Sequence, residues 1–191
     1  MTVTVPSQSR YTPADVLRLD GEGLFELVGR RLIKKEMSSL ASETAGLITA
    51  ALNTYLKRSR SGNTVFLEQT FQCFPYDPDL VRRPDVAMIV ASRLAGVPEK
   101  GHIPIAPDLA VQVILPDDTI YEFEQRLVDY QRAKIPLVWE VNPKLRFVRI
   151  HRLDRDAERL NESAMLTTDT VLPGFSVIVS GLFPPASVAK A

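Results

Sequence analysis

Residues 108–141 constrain the fold more than any other stretch of this chain. DLAVQVIL is a short, almost continuous apolar run of the kind a strand shows when both of its faces are buried. The segment after it places Ile120, Phe123, Leu127 and Tyr130 at intervals of three, four and three, a stripe along one face of a helix. PLVWEV is then a second buried-type run. Strand, amphipathic helix, strand within so short a span predicts a crossover joining two parallel neighbours of one sheet. The helix is expected over residues 118–133, with Asp118 as its N-cap.

The rest of the chain supplies antiparallel additions. TPADVLRL starts a short helix, with Thr12 as cap and Pro13 at the first helical position. FELVGRRLIKK reads as a hairpin turning at Gly29. A helix is expected over 38–57, with Leu40, Thr44, Leu47, Ile48, Ala51, Leu52 and Tyr55 on one face. TVFLEQTFQCF and PDVAMIV read as strands, NPK as a turn into LRFVRIHRL, and VLPGFSVIVSGLF as a turn and a last short strand. The expected class is α/β: a mixed sheet flanked by helices, with an N-terminal hairpin and additional C-terminal strands. The strands beginning at Asp85 and Asp108 are expected side by side. Residues 1–191 are read as a single domain, with 1–10 a flexible arm and 184–191 a tail.

Composition narrows the setting. Apolar residues make up 45% and charged residues 24%, and Lys plus Arg balances Asp plus Glu at 23 each, so a generally basic nucleic-acid coat is excluded while a local basic groove is not. No apolar run approaches membrane-spanning length. The start, MTVTVPSQSRYTP, lacks the basic and apolar regions of a secretory signal, and Cys73 has no second cysteine to pair with, so a reducing cytoplasm is the expected location. The weakly charged C-terminal segment suggests an apolar edge covered by a second copy, hence a homodimer.

One residue contradicts its surroundings. Gln112 lies in the middle of the apolar run, where a buried amide without partners costs roughly 1–3 kcal/mol. Asp85 similarly opens PDVAMIV. Oxygen ligands from adjacent strands are one way to hold Mg²⁺ against a phosphodiester, and here the second strand offers an amide where a carboxylate would be needed.

RRPDVAMI, APDLAVQVILPDDT, EFEQRLVDYQRAKIP, LVWEVNPKLRFVRIHR and VLPGF, with FELVGRRLIKKEM and SSLASE before them, together resemble the Uma-two family. That family belongs to the PD-(D/E)XK restriction-endonuclease-like superfamily and its cellular role is unknown. The resemblance covers residues 11–183 and implies the fold and Mg²⁺-dependent hydrolysis of DNA. It carries the family's Asp to Asp85, its Glu to Gln112, its Ser to Leu115 and its helical Lys to Arg126, four residues before Tyr130. It implies metal ligands at Asp85, Gln112 and the carbonyl of Val113, and Glu43 as an acidic partner from the long helix.

Three departures around one site imply erosion of catalysis. An amide removes a charge from the metal's ligands, arginine cannot release a proton to act as base, and Leu115 offers no polar group. Two readings follow: a metal-dependent endonuclease with an unusual site, or an inactive nuclease fold serving DNA binding or protein assembly. The second expects Gln112→Glu to strengthen Mg²⁺ binding. Simpler readings stand beside these. Arg126 could pair with Glu122 on an exposed helix face, and Glu43 could be solvated. His102 and His151 are isolated and receive no ligand role, and basic pairs such as Lys34–Lys35 and Arg82–Arg83 are ordinarily solvated unless they converge beside Asp85.

Overall fold

The computed structural model describes residues 10–36, 38–115, 118–168 and 170–185, so most of the expected arm, the end of the tail and the Pro116–Asp117 pair lie outside the described residues. The elements run α1 (Pro13–Arg18), β1 (Phe25–Val28), β2 (Arg31–Lys34), α2 (Ser39–Ser59), β3 (Thr64–Leu67), β4 (Val86–Ile89), β5 (Leu109–Val113), α3 (Ile120–Arg132), β6 (Leu137–Asn142), β7 (Phe147–Arg152), β8 (Arg155–Asn161), β9 (Met165–Thr168) and β10 (Phe175–Ile178).

β3 to β8 form one six-stranded sheet in sequence order. Only β5 and β6 are parallel neighbours, joined by α3, as the strand–helix–strand pattern requires. β4 pairs antiparallel with β5, so the strands that open at Asp85 and Asp108 are adjacent. The alternation of β side chains assigns the two faces. Val86, Met88, Val111, Trp139 and Val148 point to α2 and pack with Ile48, Leu52 and Tyr55. Ala87, Ala110 and Val138 point to α3 and pack with Phe123, Leu127 and Tyr130.

β1 and β2 form the expected hairpin. Gly29 and Arg30 both hold left-handed φ, 54° and 63°, which matches the twist of a two-residue turn. Leu27 of this hairpin packs with Val16 and Val81 in a small cluster that ties α1 and β1 to the approach to β4.

Several expected details shift. The cap of α3 is Thr119, in a reciprocal capping box with Glu122. Asp118 instead accepts a bond from the Leu115 N–H, 2.8 Å, and closes the loop ahead of the helix. Ile120 is 82% exposed, so the buried stripe starts at Phe123 and takes in Arg126 and Asp129 as well as Leu127 and Tyr130. The inner face of α2 is rotated toward Ala41, Thr44, Ala45 and Ile48, with Leu40 partly exposed. The strand expected over 64–74 ends at Leu67, because Glu68 turns into left-handed φ of 49°. At the C-terminus β10 pairs with β9 and stays out of the large sheet. Phe175, Val179, Leu182 and Phe183 are buried in the α2-side core, which uses most of the apolar surface that suggested self-association. Among the described residues no helix is long and apolar enough to cross a membrane.

Candidate functional site

The polar exceptions in the apolar strands meet in one place. Asp85, one residue ahead of β4, continues the ladder by donating its N–H to the Val111 carbonyl, 3.0 Å, and it comes level with Gln112 on the α3 side of the sheet. The row continues through Glu140, the register partner of Gln112 on β6, to Arg149 on β7. Asp85, Gln112 and Glu140 are all buried. Glu140 is charge-balanced inside the row, accepting from Arg149 Nη1 at 2.8 and 2.6 Å and lying 3.1 Å from His151 Nε2.

Gln112 has its partner in Asp85. Its Nε2 donates to Asp85 Oδ2 at 2.8 Å, and the Val113 N–H donates to the same oxygen at 2.7 Å. The other carboxylate oxygen, Oδ1, lies 2.8 Å from Lys35 Nζ. Gln112 Oε1 has no partner among the described residues. Asp85, Gln112, Val113 and Arg126 line one cavity of about 230 Å³ together with Lys35 and Leu115. Glu43 is not among the lining residues and is exposed on α2. His102 is held by Thr70 and the Pro13 carbonyl.

Lys35 belongs to one of the basic pairs that would matter only on converging beside Asp85, and it does converge there; Glu68 was not anticipated. Lys35, just past β2, is buried along its side chain and reaches Glu68 Oε2 at 3.0 Å as well as Asp85. A lysine therefore does stand beside the acidic residue, delivered by the hairpin and not by α3. Burial acts against its charge, but Asp85 and Glu68 outweigh that and raise its pKa, so the ammonium keeps its proton and cannot serve as a base. Glu68 is raised to about 7, mainly by burial and further by Asp85, with Lys35 opposing. Its proton affinity exceeds that of an unfolded glutamate between about pH 4.5 and about pH 7. The folded state then binds more protons, and stability should fall as pH rises through that window. Allowing for partial solvent contact, the expected fall is about 1–2 kcal/mol in denaturation midpoints measured against pH, and Glu68→Gln should flatten it.

Arg126 lines the cavity, and in place of the alternative exposed pairing with Glu122 it joins a buried network. Its Nε lies 3.4 Å from Glu26 Oε2, and Nη1 is buried without a partner. Arg82 joins Glu26 Oε2 at 2.8 Å to Asp129, while the Arg83 N–H donates to Glu26 Oε1 at 2.8 Å. Arg82 and Arg83 are thus buried structural cations, not solvated ones. Glu26 is fully enclosed. Burial alone would raise its pKa, but the Arg126 and Arg82 guanidiniums hold it down to about 2.

A sequence profile of the Uma2 family, described as "Putative restriction endonuclease", matches residues 13–182. The chain belongs to the Uma2 family. No curated protein matches. Among solved structures, this Uma2 chain is similar to the crystal structure of "a putative nuclease belonging to DUF820 from Anabaena variabilis ATCC 29413", with 20% identity, 85% of this chain and 90% of that one covered, and a TM-score of 0.72. That likeness establishes a shared nuclease-like fold. A cryo-EM structure of a DrdV–DNA complex also matches, at 10% identity and a TM-score of 0.35, over 62% of this chain and 12% of that one; a score so low carries no argument.

The metal implied by the superfamily does not fit this Uma2 site as built. Asp85 is engaged by an ammonium, an amide and a backbone N–H, and the second strand supplies no carboxylate beside it. Among the described residues no group of three or more His, Cys, Asp or Glu could hold a metal ion. Mg²⁺ is held by carboxylates whose oxygens are free to face it, and those conditions are missing here.

Proposed function

We propose that this Uma2 chain is a DNA-binding protein on a nuclease fold whose metal-dependent phosphodiester hydrolysis has been lost. The observation that carries this reading is the engagement of both Asp85 carboxylate oxygens by Lys35, Gln112 and Val113. Neither Lys35 nor Arg126, which line the cavity, supplies a base. Lys35 retains its proton, and Arg126 cannot deprotonate at physiological pH. What the cavity keeps suits a phosphate better than a cation. Arg126 and Lys34 line it, and Arg31 is exposed on the same hairpin as Lys34. Family membership supplies DNA as the polyanion.

The alternative, an active metal-dependent endonuclease, has one observation in its favour: Asp85, a lysine and an arginine still meet in one cavity. Fluorescence anisotropy with labelled duplex DNA, alongside a supercoiled-plasmid assay in Mg²⁺ or Mn²⁺, separates the two. The expected result is salt-dependent binding without nicking. The double variant Arg31→Glu/Lys34→Glu should bind on the order of tenfold more weakly at low salt, with a shallower salt dependence. Nicking that disappears in Asp85→Ala would overturn the proposal, as would failure to bind DNA at low salt.

A further inference from the structure

We propose that Lys35 is a tethered cation, standing where a divalent ion would otherwise sit, and that removing its ammonium opens a hard-cation site made by Asp85, Glu68 and the Arg83 carbonyl. This rests on the reading that the native site does not use a metal.

Lys35 Nζ sits among three oxygens: Asp85 Oδ1 at 2.8 Å, Glu68 Oε2 at 3.0 Å and the Arg83 carbonyl at 3.0 Å. An ammonium has three donors and no acceptor, and each donor here has its own oxygen. Two carboxylates and a carbonyl form an all-oxygen donor set of the kind that takes Mg²⁺, Mn²⁺ or Ca²⁺ at about 2.0–2.6 Å. The oxygens would have to close in by about 0.2–1.0 Å, least for Ca²⁺.

Two further observations point to a cation rather than to an ordinary surface ion pair. Glu68, whose Oε2 belongs to the cage, holds a left-handed φ of 49°, a conformation that costs a residue with a Cβ about 1–2 kcal/mol. Its N–H donates to the Asp85 carbonyl at 3.2 Å, which keeps the two acids together. In addition, Gln112 is 3% exposed and its Oε1 lacks a partner, in the cavity that Lys35 and Asp85 line. Without the ammonium, two carboxylates share one partly buried space, and they must take up a proton or a cation.

The test is Mn²⁺ titration by calorimetry and by thermal unfolding on the full chain. Wild type, Lys35→Met and Lys35→Met/Asp85→Asn are compared, with Lys35→Gln replacing Lys35→Met if the latter does not fold in divalent-free buffer. Wild type should show no saturable binding and no Mn²⁺-dependent shift in melting temperature. Lys35→Met should melt lower in chelator, bind Mn²⁺ saturably, and regain melting temperature as Mn²⁺ rises. Asp85→Asn should cancel that gain. A folded Lys35 variant that takes no Mn²⁺ would overturn the tethered-cation proposal and leave the loss of hydrolysis standing. Mn²⁺-dependent nicking of plasmid by the wild type would overturn both.

Discussion

Replacing Glu26 by alanine should lower stability by about 3–5 kcal/mol, the cost of breaking a buried ion network by removing one member. Glu26 is 1% exposed and receives Arg82 Nη1, the Arg83 N–H and, at longer range, Arg126 Nε. Arg82 would keep Asp129, but Arg126, already with one donor lacking a partner, would lose the carboxylate it pairs with. Glu26→Gln retains an acceptor for the Arg83 N–H and should lose less. The pH dependence follows from the sign of the shift. With its pKa held down to about 2, Glu26 contributes fully above the ordinary glutamate range, and that contribution disappears as pH falls from about 4.5 toward about 2. The alanine variant should therefore show a flatter acid limb in guanidinium midpoints. A loss below about 1 kcal/mol would mean that the network is idle.

Gln112→Glu should destabilise the protein in a strongly pH-dependent way. The side chain donates to Asp85 Oδ2 at 2.8 Å. An isosteric carboxylate would replace that donor with a second negative acceptor, and two acids at such a distance do not both ionise. The introduced carboxyl should keep its proton well above the usual range, with a loss of about 2–4 kcal/mol at pH 8 and much less at pH 5. This differs from the expectation drawn from sequence, in which the added carboxylate simply strengthens Mg²⁺ binding. Lys35 makes the difference, because the cation such a carboxylate would attract is already present. Equal denaturation midpoints for Gln112→Glu and wild type at pH 8 would contradict this.

The sheet was legible because its strands are buried on both faces and its crossover helix is amphipathic, and both facts are written in local periodicity. Asp85 and Gln112 stood out for the same reason, as polar residues in apolar runs. Glu26 and Lys35 gave no such signal. They lie in a charged hairpin, where a buried acid or ammonium has the same sequence appearance as a solvated one. Their burial depends on the hairpin folding over β4 and α3, a long-range contact. Glu68 was hidden for a related reason, since TVFLEQTFQCF reads as one strand and nothing local announces left-handed φ at its fifth residue. β8 is an edge strand with almost no buried side chain, so RDAERLN lacks the alternation that marks its neighbours.

The most direct measurement of the central claim is anomalous scattering from crystals of the wild-type protein soaked in Mn²⁺. The expected map has no peak between Asp85 and Glu68, with Lys35 Nζ density bridging the two carboxylates. An anomalous peak coordinated by Asp85, with Lys35 displaced from it, would contradict the claim that this Uma2 site runs on a tethered ammonium in place of a metal.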